Sequence, residues 1–328
     1  MNFELSVKNF IQDKGLLRKG DLILVGISGG ADSVALTLLL RKIQYEFGVR
    51  IMLAHFNHNL SKACSVDEKF VRSFAASLNI PVVVGKWTKT KGIKVKASLE
   101  ERAREARFEF FKKIYQEQKA DALALAHHKD DLAETVLMRI IRGSGSYGLR
   151  SILPKREIYG CNVIRPFLAV SRKDIEVFLK TQKAEYRTDF TNFDTDFFRN
   201  KIRLELLPLL QKSYNPEVSS ALGSLADILT VDNDFIQIEA KKIFERIADI
   251  KGNSLCFDIR KLLNQHPALQ RMIIRLSYEK LKGDTRSLEY RHFEEVEQLC
   301  KVRPDNSVVE LPFHILVKKI NKFLIFKK

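Results

Sequence analysis

The chain has 328 residues, 45% of them hydrophobic and 29% charged, enough to bury a core and to build two domains. Lys and Arg outnumber Asp and Glu by 56 to 40, and the formal charge of +16 suits a polyanionic partner, although a basic surface kept for solubility is the plainer reading of charge alone. The N-terminus lacks a small-residue cleavage pattern after an apolar run, no stretch of membrane-spanning length is free of charge, and Cys64, Cys161, Cys256 and Cys300 form no metal-like spacing. Secretion, membrane insertion and a zinc site are therefore not expected, and a cytoplasmic location is.

In chain order, DLILVGI from Asp21 to Ile27 predicts a buried strand, and SGGADSVALTLLLRKI from Ser28 predicts a glycine turn opening a helix. RIMLAHF (Arg50 to Phe56) and IPVVVG (Ile80 to Gly85) predict the next two strands, with a helix over Ser65 to Leu78 marked by Phe70, Phe74 and Leu78. Ser98 and Glu101 form a capping box for a helix in SLEERAREARFEFFKKIY. Ala120 to His128 predicts a fourth strand running into a helix that begins near Asp130. Strands alternating with helices at these spacings predict an α/β fold with a parallel, doubly wound sheet.

RPF from Arg165, a turn and a further helix up to Lys183 complete the first domain, and a helix with Arg199, Asn200 and Arg203 leads to Pro208. Asn215-Pro216 is the best break, so the domains are expected at 1–213 and 214–328. In the second, Val218, Leu222, Leu225 and Leu229 repeat at helical spacing, as do Leu269, Met272, Ile273 and Leu276. SVVEL and HILVKKINKFLIF read as strands, which predicts a smaller, mainly helical domain with a few terminal strands.

The sharpest local feature is Ser28-Gly29-Gly30-Ala31-Asp32-Ser33 between strand and helix. Its glycines permit close backbone approach, and its amides and serine hydroxyls can cradle phosphate oxygens. Asp32 would repel a phosphate unless a cation lies between them, so it reads as a Mg²⁺-facing carboxylate; a helix N-terminus that favours an acidic residue is the structural alternative. No GxxxxGK[ST] occurs, and the GxGxxG of Gly143, Gly145 and Gly148 follows a helix where a dinucleotide site requires a strand.

Two helices carry further candidates. His127, Asp131 and Glu134 share a face at the expected ligand edge of the sheet, able to hold a metal or an ammonium group, while capping accounts equally for Asp130 and Asp131. Arg104 and Arg107 lie one turn apart and could neutralise a triphosphate, or pair on the surface with Glu100, Glu101, Glu105 or Glu109. Lys86, Lys89, Lys91, Lys94 and Lys96 form a basic stretch that is either a grip on RNA phosphates or a solvated loop.

The SGGxDS loop resembles that of enzymes that split ATP between its α and β phosphates. With AHFNHNL (Ala54 to Leu60), EERAREARF (Glu100 to Phe108), AHHKDDLAETVLMRIIRGSG (Ala126 to Gly145), YGL, RPF and FRNKIRLELLPLL (Phe198 to Leu210) in that order, the chain is similar to bacterial tRNA(Ile)-lysidine synthases, and the motifs span the first domain and its exit helix. The resemblance implies a sheet of the adenine-nucleotide alpha-hydrolase type. It implies ATP and Mg²⁺ as cofactors, with free L-lysine and the isoleucine tRNA bearing the CAU anticodon as partners.

The implied reaction adenylates the C2 oxygen of the wobble cytidine, after which the lysine ε-amine displaces AMP. On the same grounds Ser28, Gly29, Gly30, Ala31, Asp32 and Ser33 would bind pyrophosphate and Mg²⁺, and the backbone at Ala54 and His55 would border adenine. Asp131 and Glu134 resemble acidic groups near the lysine and metal sites, Arg104 or Arg107 a phosphate-binding arginine, and Arg203 an arginine close to the RNA and the cleft. His127, His128, Asp131 or a substrate phosphate would take the proton of lysine. The family is commonly dimeric, which makes a homodimer a further expectation.

The chain departs from the family where Ser61 and Lys62 follow Leu60 in place of a leucine-arginine pair, and its second domain would match only the first of two C-terminal domains in longer members. A thiolase of the same loop class would need sulfur-carrying cysteines that this sequence does not pair. A small-molecule ligase has little use for the basic excess, and a non-catalytic RNA-binding protein leaves Asp32, Asp131, Glu134 and the glycine loop without a purpose.

Overall fold

The apolar run after Asp21 forms β1 (Leu22–Gly26), which lies inside a six-stranded sheet. A computed structural model describes residues 2–59, 63–87, 99–187, 198–285 and 287–328 of the chain. Leu60, Ser61, Lys62, Lys89, Lys91, Lys94, Lys96 and Ser98, each singled out in the sequence, lie outside the described residues.

The sheet runs β3 (Val82–Lys86), β2 (Arg50–Asn57), β1, β4 (Ala122–Ala124), β6 (Cys161–Ile164) and β5 (Lys155–Ile158); all are parallel except β5, which pairs antiparallel with β6. Around it lie α1 (Phe3–Asp13), α2 (Ala31–Phe47), α3 (Ala63–Ser77), α4 (Leu99–Glu117), α5 (Lys129–Ile141) and α7 (Arg172–Thr181), while the short α6 (Ser146–Leu149) packs with the second unit. Alternate residues of each inner strand serve opposite faces. Ile23, Val25, Leu53, Ala122 and Ala124 join the core under α1, α2 and α7, whereas Leu24, Ala54 and Leu123 pack with Phe108, Phe111 and Ile114 of α4. Strands apolar on both faces are what a parallel sheet covered on both sides requires.

The β5–β6 hairpin is absent from the sequence reading. Its strands have four residues each, too few to show periodicity, and its turn places Tyr159 (φ 52°) and Gly160 (φ 79°) in the left-handed region, where asparagine or aspartate is the usual signal before glycine.

Contacts divide the chain into two units: Met1–Met138 with Ser151–Gly223, and Arg139–Arg150 with Ser224–Lys328. The first also holds α8 (Phe198–Lys201), a wide π turn over Ile202–Leu206 and α9 (Leu207–Ser213). The second combines most of α10 (Val218–Ile247) with α11 (Ile259–Leu263), α12 (Pro267–Lys282) and α13 (Tyr290–Lys301). Its antiparallel sheet has the order β7 (Ala248–Lys251), β8 (Ser254–Asp258), β11 (Phe323–Lys327), β10 (Ile315–Ile320) and β9 (Val308–Leu311), so a hairpin precedes the expected terminal strands. Among the described residues no helix is long and apolar enough to cross a membrane.

Candidate functional site

The strand order places neighbours of β1 on opposite sides, β2 by one connection and β4 after the chain has returned, so a crevice opens at the carboxyl ends of β1, β2 and β4. A cavity of about 460 Å³ fills this position, lined among others by Ser28, Asp32, His55, His58, Arg107, His127, Arg172 and Arg187. That volume is in the range of small-molecule sites.

Between β1 and α2 the loop is held by its own serines. Ser28 N–H donates to Ser33 Oγ (3.1 Å), Gly30 N–H to Ser28 Oγ (3.2 Å) and the Ser33 hydroxyl to Gly30 O (2.9 Å). Gly30 caps α2 without a side-chain acceptor, so the first-turn amides face the cleft and favour an anion. Gly29 adopts φ +93°, and a Cβ there would lie 3.4 Å from Phe70 and 3.5 Å from Val71. Gly29→Ala is therefore expected to lose about 1–3 kcal/mol of stability, read as a lower urea midpoint at an unchanged slope.

Asp32, in the first turn of α2, has Oδ1 2.5 Å from Arg172 Nη1 and 3.9 Å from His128 Nε2. His128 in turn has Nδ1 3.4 Å from Asp130 and Nε2 3.4 Å from Asp131. Burial opposes its charge, but Asp130, Asp131 and Asp32 outweigh burial and raise its pKa above the usual imidazole value.

The acidic face of α5 is closed by arginines of the exit helix. Glu134, 1% exposed, accepts from Arg199 Nε (2.8 Å), Arg203 Nε (2.6 Å) and Arg203 Nη2 (3.0 Å). Asp131 Oδ1 accepts from Arg199 Nη2 (2.9 Å) and Arg203 Nη2 (3.2 Å), while its Oδ2 accepts the His128 N–H (3.0 Å). Arg199 precedes and Arg203 lies within the widened π turn, a feature common at functional sites.

Burial alone would raise the Asp131 pKa, but His128, Arg199 and His127 hold it down to about 2. A depressed carboxylate stabilises the fold fully above its unfolded value near 3.8, and the contribution is lost as pH falls through about 2. Between pH 4 and 2 the unfolding free energy of the parent chain is thus expected to drop more steeply than that of Asp131→Asn; parallel acid titrations would contradict this.

Across the cleft lies a second group. Burial, together with Arg165, Arg199 and Arg107, lowers the His127 pKa to about 3 against the pull of Asp131, and its buried Nδ1 has no hydrogen-bond partner. His55 is 4% exposed, its Nδ1 lies 2.9 Å from Ile27 O, and burial lowers its pKa. A neutral ring donating from Nδ1 leaves Nε2 as an acceptor, and Nε2 is buried without a partner. Burial and Arg104 lower the Arg107 pKa; its Nε is unpaired, and among the described residues it makes no ion pair with an acidic side chain. A partly buried cation facing a cavity in this way is suited to an anionic ligand.

Of the residues singled out in the sequence, Ser28, Gly30, Ala31, Asp32, Ser33, His55, Arg107 and His127 line the cleft together. Ala54 lies in the core behind it, its carbonyl accepting from Ile27 N–H (3.0 Å). Arg104 is exposed and sits over the Phe108 ring at 5.9 Å. Asp131, Glu134 and Arg203 form the ion network beside the cleft. Sequence reading missed Arg172 and Arg187: Arg172 follows Ser171 of a Ser171–Asp174 capping box, a local signal, whereas Arg187 N–H reaches Gly29 O (2.9 Å) by a contact between distant segments.

A Mg²⁺ ion with one protein carboxylate, phosphate oxygens and water fits Asp32, for no ion pair of the described residues uses its Oδ2. Asp131 has both oxygens engaged by protein donors. Among the described residues no three His, Cys, Asp or Glu side chains converge as a metal cage.

Comparison with known proteins gives a match of residues 1–210 to the PP-loop domain family. The chain is 32% identical over 320 residues to the tRNA(Ile)-lysidine synthase of Caldanaerobacter subterraneus subsp. tengcongensis, covering 97% of this chain and 68% of that protein. It is 34% identical over 324 residues to the tRNA(Ile)-lysidine synthase of Clostridioides difficile, covering 95% of this chain and 67% of that one. Among solved structures, the U34-tRNA thiolase NcsA from Methanococcus maripaludis superposes with a TM-score of 0.60 at 16% identity, over 70% of this chain and 78% of that chain, a likeness of fold.

Proposed function

The chain belongs to the tRNA(Ile)-lysidine synthases of the PP-loop class, and from this we infer that it is a carbon–nitrogen ligase that modifies tRNA at the expense of ATP. Its substrate is the wobble cytidine of the isoleucine tRNA with a CAU anticodon, and its product carries lysine at C2. The observation that carries the reading is one cleft uniting the Ser28–Ser33 loop with Arg107, a guanidinium left without an acidic partner among the described residues. The excess of basic residues favours a polyanionic substrate. These substrates place the work of the chain in the cytoplasm.

The C2 oxygen of cytidine attacks the α-phosphorus of ATP and pyrophosphate leaves; the lysine ε-amine then adds at C2, loses a proton and expels AMP. The loop amides and serines orient the triphosphate for the first step, and Arg107 offsets charge as the α-phosphate becomes five-coordinate. Mg²⁺ held by Asp32 would supply charge neutralisation to the departing pyrophosphate. His55 Nε2, left as an acceptor by the Nδ1 bond to Ile27, suits an amino group of the base or the amine, and His127 Nδ1 is an unpartnered ring nitrogen that could serve such a group from the same cleft. With pKa values of about 3 and about 2, His127 and Asp131 are poorly matched to general-base work at neutral pH, so they position.

Sulfur transfer finds no support in the cleft, since Cys64 is the one cysteine among its described lining residues. The test is incubation with ATP, Mg²⁺ and labelled lysine, with the CAU-bearing isoleucine tRNA and a methionine tRNA as control. Label in the isoleucine tRNA alone, with AMP and pyrophosphate released, is the expected result; RNA binding without pyrophosphate release would overturn the reading.

A second copy of the chain is the partner that α10 fits. Ala226, Asn233, Ala240 and Phe244 mark its buried face, yet Leu225, Ile228, Val231, Phe235 and Ile238 are exposed on the other side, where a surface helix ordinarily carries polar residues. An antiparallel pair about an axis between Val231 and Asp232 sets Leu225 against Ile238, Ile228 against Phe235 and Glu217 against Arg246, a self-complementary register of the kind a two-fold interface requires. Sedimentation is expected to show twice 37.8 kDa. Glu217→Arg and Arg246→Glu should each weaken the dimer and together restore it; a monomer, or a dimer blind to Phe235→Asp, would rule the interface out.

A further inference from the structure

The proposed chemistry leaves Arg172 without a task, although it lines the cleft against Asp32 of the glycine loop. Three constraints aim it there. Its backbone N–H is held by Asp130 Oδ2 (2.7 Å), which ties the start of α7 to the start of α5. Its Nε is held by Glu176 Oε1, one turn along α7, at 2.9 Å. Its Nη1 then lies 2.5 Å from Asp32 Oδ1, in the first turn of α2 behind the glycine loop. The guanidinium is thus fixed at the base and on one edge, while its far edge meets a carboxylate in the cleft.

A second cleft-lining arginine, Arg107, belongs to a different neighbourhood, while a third, Arg187, turns its Nε to Asp67 (3.4 Å). Arg107 is close enough to His58 and His127 to lower the pKa of both, which puts it beside the ends of β2 and β4. Arg172 is grouped with Asp32 and the start of α2. A nucleotide whose terminal phosphates rest on the Ser28–Ser33 loop would therefore meet Arg172 with those phosphates and Arg107 with the portion nearer the nucleoside. Resting on the reading of the cleft as an ATP site, we propose that Arg172 binds the pyrophosphate half of the nucleotide: in the free protein its Nη1 is ion-paired with Asp32, and on binding the guanidinium moves to phosphate oxygens, leaving the Asp32 carboxylate open.

A fork-shaped donor suits this exchange, because guanidinium satisfies carboxylate and phosphate with the same geometry and lysine does not. The assignment separates two ligands that a general loss of structure would not separate: pyrophosphate contains the group Arg172 is said to hold, and AMP lacks it. The experiment is calorimetric titration of inorganic pyrophosphate and of AMP into the full chain, compared with Arg172→Ala and Arg172→Lys, without tRNA or lysine. Arg172→Ala is expected to weaken pyrophosphate binding at least tenfold while AMP binding and the thermal midpoint stay unchanged. Arg172→Lys should recover part of the pyrophosphate affinity and none of the specificity of the fork. Equal weakening of both ligands, or of neither, would overturn the proposal, as would a parent chain that binds AMP and no pyrophosphate. A parent chain that binds neither would instead remove the ATP reading on which the assignment stands, and the assignment with it.

Discussion

Asp32→Asn is expected to cut pyrophosphate release by at least about 100-fold, the scale seen when one preorganised charge-stabilising group is removed from a reaction centre. The substitution keeps the shape of the side chain and removes its charge. The carboxylate is about one-third exposed, with a side-chain accessibility of 30%, and its ion pair with Arg172 is partly solvated, so the fold should lose well under about 1 kcal/mol. Activity and stability are thus predicted to separate. The assay is pyrophosphate release in the presence of ATP, Mg²⁺ and tRNA, beside a denaturation curve of the same preparation. Near-normal release by a folded Asp32→Asn variant would remove Asp32 from the reaction; loss of release together with a collapsed midpoint would make its role structural.

Glu134→Gln is expected to act through the opposite route, on stability first. The carboxylate is 1% exposed and faces two guanidinium groups, and breaking a buried pair strands the opposite charge. Arg199 and Arg203 keep about a third of their side-chain surface in solvent, at 37% and 33%, which puts the loss at the low end of such effects, about 3 kcal/mol. A double-mutant cycle of Glu134→Gln with Arg203→Gln should return a coupling of about 1–3 kcal/mol. Additive losses would mean that the two residues do not act as a unit. The catalytic defect of Glu134→Gln should track the loosened exit helix, and substrate binding should fall less than that of Asp32→Asn.

The parallel strands were legible because they are apolar on both faces and bounded by turn residues, as DLILVGI and IPVVVG are. The glycine loop was equally plain, since Gly29 has a conformational reason to be glycine and Asp32 has no reason to sit beside phosphate alone. What the pattern of residues does not contain is long-range pairing. Asp131 and Glu134 could be seen to share a helix face, but Arg199 and Arg203 come from 65 to 72 residues further along, and nothing local shows that they meet those carboxylates. The choice between Arg104 and Arg107 likewise depends on how α4 is rotated on the sheet, a matter of packing by Phe108 and Phe111.

The alternation of chain segments between the two units also governs the order in which the molecule can mature. Because Arg139–Arg150 leaves the ribosome well before Ser224–Lys328, the ring of Tyr147 waits for Arg275, which comes to lie 4.2 Å above it, and for the core in which it then packs. A nascent chain ending near Gly223 would hold a formed sheet with an aromatic tongue still unclaimed, a sticky interval that chaperones would meet during synthesis. The same topology means that no single proteolytic nick liberates an intact second unit, since its first twelve residues stay threaded between two pieces of the other.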